Sequence, residues 1–193
     1  IMGRIGRVER TTKETDIAIA IDLDGAGSTD VDTGIGFFDH MLTAFGRHGL
    51  FDLSVEVKGD LEVDGHHSVE DAGIVLGRVF AQALGDKRGI RRFGSVALPM
   101  DETLVLVACT ALPGFAVYQM PVMLGTFDAS LAKEFFIAFA ANAGVTLHVR
   151  LLAGENAHHI IEACFKAVAR ALREAVESDP RLGDELPSTK GAL

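Results

Sequence analysis

The segment AFGRHGLFDLSVEV, residues 44–57, has a counterpart in AFAANAGVTLHVRL, residues 138–151. Each segment is typical of a helix end, a glycine-containing turn and a strand whose apolar residues alternate with polar ones. The motif His-His-x-x-Glu follows both segments, at residues 66–70 and 158–162. Because these unrelated features recur in the same order, we interpret the chain as an internal duplication.

The pattern around these segments predicts an α+β fold of duplicated half-domains, each an antiparallel sheet plus helices. We place the first half-repeat at residues 1–93, the second at 94–180 and a C-terminal tail at 181–193, all in one compact unit. By composition the tail, which is rich in proline and glycine, is expected to fray. The predicted strands cover residues 16–24, 50–60, 95–101, 103–109 and 145–152, and the predicted helices end at Gly49, cover 66–86, open on Asp128 and run from 156 to a stop at Pro180.

Composition excludes several classes of protein. The chain has 193 residues, of which 48% are hydrophobic, and a formal charge of −9, which argues against disorder and against a nucleic-acid partner. The longest apolar segment is too short to span a bilayer, so we expect no membrane contact. Two cysteines, Cys109 and Cys164, lie in apolar runs and indicate buried thiols of a reducing compartment. The expected location is the cytoplasm.

Four of the seven histidines belong to the duplicated motif. Residues four apart share a helix face, so His66 faces Glu70 and His158 faces Glu162. Consecutive helical residues diverge by about 100°, so His67 and His159 should serve different ions from their neighbours. An alternative is that each histidine pair is only a surface feature of the first turn of a helix. Because the motif occurs at two equivalent places, we favour a metal site.

Imidazole and carboxylate ligands without thiolates suit manganese, iron or zinc, with a weak preference for manganese. When the halves are aligned, His40 falls on Glu134, so both are further candidate ligands. Glu134 is equally well explained as a solvated helix residue. Asp39, beside His40, is a candidate acceptor that would hold the tautomer of a bound imidazole.

Six motifs together resemble the imidazoleglycerol-phosphate dehydratase family over essentially the whole chain: DTGIGFFDHML, HHSVEDAGI, GDKRGIRRFG, PMDE, GENAHHIIEACFKAVARAL and PSTKGAL. The resemblance implies a ribosomal protein S5 domain 2-like fold and a large homo-oligomer of octahedral symmetry with metal sites shared between subunits. It implies two Mn²⁺ per active site and removal of water from D-erythro-imidazoleglycerol phosphate in histidine biosynthesis. The substrate would be a small phosphorylated imidazole.

The resemblance also implies roles for individual residues. With Glu134 added from the alignment of the halves, the candidate metal ligands are His40, His66, His67, Glu70, Glu134, His158, His159 and Glu162. The candidate catalytic residues are Glu14, His40 and His67, with Glu14 as general base and acid. The candidate substrate-binding residues are Glu14, His48, Arg92, Lys166, Ser188 and Lys190, which requires an ordered tail.

The sequence departs from the family pattern at residues 110–115, TALPGF, where relatives carry an arginine that reaches phosphate. Two other functions therefore stay open at this point. One is a metal-binding shell protein that has lost its catalytic activity, and the other is a metallohydrolase acting on a phosphorylated small molecule.

Overall fold

Two four-stranded sheets and four helices make up the fold, in a computed structural model that describes residues 3–111, 116–119 and 127–191. The first half contains β1 (Ile5–Thr11), β2 (Thr15–Asp22), β3 (Thr29–Asp32), α1 (Gly36–Gly49), β4 (Asp52–Gly59) and α2 (His66–Leu84). The second half contains β5 (Phe93–Met100), β6 (Thr103–Thr110), β7 (Ala116–Gln119), α3 (Ala129–Ala143), β8 (Thr146–Ala153) and α4 (Ala157–Val176). The same order of elements thus occurs twice.

The two sheets have equivalent topologies, β1-β2-β4-β3 and β5-β6-β8-β7. In each sheet three strands are antiparallel, and the fourth, β3 or β7, pairs in parallel with its neighbour. The predicted α+β fold of duplicated antiparallel half-domains is therefore confirmed, with one parallel edge strand added to each half. The limits of the half-repeats remain an interpretation.

The helices lie between the two sheets. The period of two buries Ile17, Ile19 and Ile21 of β2 under α2, and α4 covers β5 and β6 in the same way. Across the middle α1 packs on α4, and α3 packs on α2, so one continuous core joins the halves. Glycine at 73 permits the close approach of α2 and α3, since a Cβ there would lie 2.6 Å from the Phe135 carbonyl oxygen.

Side chains cap the first turns of α3 and α4, whereas α1 and α2 begin without a side-chain cap. Asn156 accepts a hydrogen bond from the His158 N–H at 2.9 Å and caps α4, so the second histidine pair stands in the first turn. The left-handed residue after α1 is Leu50 (φ 54°) rather than glycine. Helix α4 ends at Val176, four residues before the predicted stop at Pro180. No helix in the described part of the chain is long and apolar enough to cross a bilayer.

The described part of the tail is packed against the segment before β5. The Gly89 N–H donates to the Glu185 carbonyl at 2.9 Å, and Arg92 Nη1 donates to the Pro187 carbonyl at 2.6 Å. The expectation of a frayed tail, drawn from composition, is wrong as far as Pro187. Hydrogen bonds to a distant segment, which composition cannot reveal, order this part of the chain.

Candidate active site

Helices α1 and α4 bring together three predicted metal ligands. The Glu162 Oε2 atom lies 3.1 Å from His158 Nε2 and 3.3 Å from His40 Nε2. Ligand atoms of these three side chains lie within 4.8 Å of one another. Among the described residues, this is the one such group of three or more histidine, cysteine or acidic side chains. Two imidazole nitrogens and a carboxylate oxygen form a suitable half-shell for a divalent ion.

Glu162 is buried yet keeps its charge. Burial acts to raise the pKa of its carboxyl, but the Lys166 ammonium, 2.6 Å from Oε1, and His40 outweigh that cost and hold the pKa below its ordinary value. One carboxylate oxygen thus faces the two imidazoles and the other faces an ammonium. Such a group presents a permanent negative charge to a cation.

Helix α2 presents the equivalent pair in the first half. His66 Nε2 lies 3.4 Å from Glu70 Oε2, with both side chains almost half exposed. His66 also lines a cavity of about 580 Å³ with Phe37 and Phe127. Glu134 is half-buried on α3, and among the described residues it joins no group of three candidate ligands. This half-site is therefore less complete than the one on α4.

The second histidine of each motif turns away from the first. The His66 and His67 rings stand at 87° to each other, and the His158 and His159 rings at 86°. His67 Nδ1 lies 3.0 Å from Asp60 Oδ2, and His159 Nδ1 lies 2.8 Å from Glu102 Oε2. The divergence predicted from helical spacing is therefore present, and each outer imidazole has its own carboxylate.

These carboxylates leave the Nε2 atoms of both imidazoles free to face other groups. Glu14 Oε2 lies 3.9 Å from His67 Nε2, and Asp101 Oδ2 lies 3.8 Å from His159 Nε2. The hydrogen bond to Asp60 raises the pKa of His67, and the one to Glu102 raises the pKa of His159. In return, His159 lowers the pKa of Glu102 to about 2. Glu14, the candidate general base, thus stands beside a candidate metal ligand.

Two carboxylates near the histidines differ from the prediction: one that orients a histidine was missed, and one that was expected to do so does not. Asp60 was not predicted, although it follows the end of β4 directly. Asp39, expected to orient His40, instead accepts hydrogen bonds from the Thr33 N–H at 2.8 Å and the Thr33 hydroxyl at 2.6 Å. Its carboxylate therefore organises the turn before α1.

A basic cavity of about 340 Å³ lies next to the α4 half-site. It is lined by His48, Lys166 and Arg170 on one side and by residues 96–100 of β5 on the other. Burial first, and then the positive charges of Lys166 and Arg170, lower the pKa of His48. Lys166 belongs to this cavity and to the Glu162 ion pair, so a ligand could span the two. Arg170 was missed from the sequence because its helix spacing alone suggests a solvated residue.

The remaining predicted substrate residues, Arg92, Ser188 and Lys190, lie where the tail meets the segment before β5. Arg92 adopts φ 72°, and its guanidinium carbon lies 4.8 Å from the centre of the Phe93 ring. Its hydrogen bond to Pro187 places it beside Ser188, whose Oγ accepts from the Lys190 N–H at 3.2 Å. Among the described residues, these three side chains are not part of the lining of the His48 cavity. Residues 112–115, most of the segment that lacks the family arginine, lie outside the described residues.

Comparison with known proteins gives a consistent result. Residues 33–172 match the family model described as imidazoleglycerol-phosphate dehydratase. The relative of that name from Granulibacter bethesdensis is 58% identical, and the one from Acidiphilium cryptum is 57% identical, with the whole of both chains covered in each case.

Solved structures agree with the sequence relatives. An imidazoleglycerol-phosphate dehydratase from Staphylococcus aureus is 38% identical with a TM-score of 0.79, covering 91% of this chain and 99% of its own. The enzyme from Pyrococcus furiosus, solved in complex with (S)-C348, is 37% identical with a TM-score of 0.83, covering 96% of this chain and 100% of its own.

Proposed function

The chain belongs to the imidazoleglycerol-phosphate dehydratase family, and from this premise we propose how its own side chains carry out the dehydration. The enzyme is a hydro-lyase of histidine biosynthesis that removes water from D-erythro-imidazoleglycerol phosphate to give imidazole acetol phosphate. The observation that carries the proposal is the cluster of His40, His158 and Glu162 beside a basic cavity. As a biosynthetic enzyme, it is assigned to the cytoplasm.

The family is metal-dependent, and the donor set of this chain fits a divalent ion. We assign one ion to His40, His158 and Glu162, and a second to the α2 pair His66 and Glu70. Because they point away from the adjacent histidines, His67 and His159 are assigned to ions other than the one held by His66 or His158 of the same helix, and Glu134 is the further candidate for the less complete site. Nitrogen and carboxylate donors without thiolates favour Mn²⁺, two per active site. When bound, such ions stabilise negative charge on the imidazole ring of the substrate.

Glu14 is the residue that moves the proton. Loss of water breaks a C–H bond and a C–O bond, and the departing hydroxide takes up a proton to leave as water. The resulting enol becomes the ketone when its hydroxyl gives up a proton and carbon gains one. An exposed carboxylate 3.9 Å from His67 Nε2 is placed to take the proton from carbon and to deliver one later. The hydrogen bond that His67 Nδ1 donates to Asp60 keeps the His67 ring in a single orientation.

The phosphate end of the substrate fits the basic groups. Lys166 and His48 line a cavity that adjoins the Glu162 carboxylate, so phosphate there leaves the imidazole end near the cluster of ligands. Arg92, Ser188 and Lys190 offer further charged and hydroxyl donors. Because these two groups line different parts of the described surface, we propose that a complete site combines residues of neighbouring subunits in a large homo-oligomer.

The test of this function uses chelator-treated protein and D-erythro-imidazoleglycerol phosphate, with Mn²⁺ added back in steps. We expect imidazole acetol phosphate to appear in proportion to bound metal. Fully metallated protein without turnover would instead support the shell-protein alternative. Release of inorganic phosphate from the same substrate would support the hydrolase alternative.

We expect sulfate to bind the His48 cavity more tightly as the pH falls below 6.5, towards the lowered pKa of His48. In the free protein the lowered pKa keeps the His48 imidazole neutral, and an anion favours its protonated form, so binding takes up a proton. Sulfate itself does not titrate in this range. Calorimetry in buffers of different ionisation enthalpy measures the uptake. The His48→Gln variant should lose it, whereas His148→Gln, on an exposed part of β8, should keep it.

We expect His67→Ala to lower metal content and to shift the assembly to smaller particles together. If ligands are shared between subunits, metal binding and association are thermodynamically linked. Light scattering and metal analysis on the same fractions, with and without chelator, measure both quantities. A chelated wild-type protein of unchanged particle size would contradict the shared sites.

A further inference from the structure

Asp71 is a buried carboxylate to which the proposed chemistry gives no role. It lies in α2, four residues after His67 and one after Glu70, and is 8% exposed. Its Oδ2 accepts a hydrogen bond from the Thr15 hydroxyl at 2.6 Å and lies 2.5 Å from Arg10 Nη1. The guanidinium compensates the buried charge, which would otherwise be costly.

The two partners of Asp71 flank the turn that carries Glu14. Arg10 belongs to β1, and Thr15 is the first residue of β2. Within the turn, the Thr12 Oγ accepts from the Glu14 N–H at 3.1 Å and from the Thr15 N–H at 3.0 Å. A single carboxylate on α2 is thus connected to both strands and, through the threonines, to the backbone of Glu14.

A second connection reaches the same turn. The Asp60 N–H donates to the Glu14 carbonyl at 3.1 Å, while the Asp60 carboxylate holds His67. Since His67 and Asp71 are four residues apart, they present one face of α2 to the turn. The distance between Glu14 and His67 is therefore set by contacts on both sides of Glu14.

The second half of the chain shows that a hairpin of this kind folds without such a carboxylate. The position equivalent to Asp71 is Ala163, four residues after His159. Thr103, which opens β6 as Thr15 opens β2, donates its hydroxyl to Glu102 at 3.1 Å and not to the helix. Glu102, at the position equivalent to Glu14, is instead held directly by His159, so only the hairpin of Glu14 uses a buried anchor on the helix.

We propose that Asp71 is a positioning residue, which acts through Thr15 and Arg10 to hold the Glu14 carboxylate in place beside His67. This inference rests on the proposed role of Glu14. Of the two neighbouring carboxylates of α2, Glu70 is then a metal ligand and Asp71 holds the general base in place.

The test compares Thr15→Val, which keeps the shape but removes the hydroxyl, with Thr15→Ser, which keeps the hydroxyl. We expect Thr15→Val to lower kcat roughly 10- to 100-fold, because a reacting group displaced by about 1 Å loses that much. KM, metal content and melting temperature should stay near wild type, and Thr15→Ser should restore most of kcat. Asp71→Asn should show the same loss of kcat together with a lower melting temperature, because it leaves the Arg10 guanidinium without its charged partner. Asp16→Asn, an exposed carboxylate of the same hairpin, should have no effect.

The Glu14→Gln background separates this inference from the proposed function. If Thr15 acts through Glu14, the Thr15→Val change should lower kcat no further in that background. Equal losses in both backgrounds, or a Thr15→Val enzyme with wild-type kcat, would overturn the role of Asp71 alone. Wild-type turnover of Glu14→Gln would overturn the role of Glu14 and, with it, this inference.

Discussion

The Glu162→Gln substitution is expected to lower kcat/KM at least about 1000-fold, which corresponds to roughly 4 kcal/mol of lost transition-state stabilisation. The amide has the same shape as the carboxylate, so the packing of α1 on α4 should survive. What it removes is the negative charge that lies 3.1 Å from His158 Nε2 and 3.3 Å from His40 Nε2. An ion held at this cluster would lose its only carboxylate ligand among the three.

The measurement combines steady-state rates with metal analysis of the purified protein. We expect the variant to lose about half of its bound manganese, if each chain contributes to two ions as proposed. Glu155→Gln, an exposed residue just before α4, is the matched control and should keep both activity and metal. A Glu162→Gln enzyme with full metal content and wild-type kcat/KM would show that the cluster is not a metal site.

Local periodicity was sufficient to predict the helices and the inner strands. The alternation at Ile17, Ile19 and Ile21 predicts a strand that is covered on one face, and in the structure these three side chains are buried under a helix. Three strands were not predicted. β1 carries charged residues at several positions, and the edge strands β3 and β7 have four residues each, so neither pattern nor length separates them from loops.

The candidate site likewise has contacts that the local sequence predicts and contacts that it does not. Pairs four residues apart, such as His158 and Glu162, could be predicted because helical geometry alone places them together. The partners that come from distant segments could not, since nothing local connects Asp60 to His67 or Glu102 to His159. Asp39 shows how nearness in sequence can mislead. It precedes His40, which suggested a contact between the two, but its carboxylate binds Thr33 instead.

The Arg92 backbone shows a similar limit. Its backbone N–H donates to the Ala175 carbonyl, its carbonyl accepts from the Ala111 N–H, and its side chain donates to Pro187 in a tail that begins more than 80 residues later by the predicted limits. The family resemblance predicted an ordered tail where composition predicted fraying. The long-range contacts supply the physical reason.

Co-expression of two defective variants is expected to restore activity that neither has alone. Glu14→Gln should lower kcat roughly 100- to 10,000-fold, and Lys166→Met should raise KM roughly 10- to 100-fold. The structure places Glu14 beside His67 of α2 and Lys166 beside Glu162 of α4. If the site combines the α2 set of one subunit with the α4 set of another, random mixing leaves about a quarter of the sites with both groups intact.

The mixed oligomer is purified through a different tag on each variant, and kcat/KM is compared with that of each variant alone. We expect about one quarter of the wild-type value, well above either parent. Co-expression of each variant with a differently tagged copy of itself is the control and should keep the low kcat/KM of that variant alone. If the mixture shows only the average of its parents, Glu14 and Lys166 act in sites built within one chain. The duplicated His-His-x-x-Glu motif would then serve two ions without joining subunits.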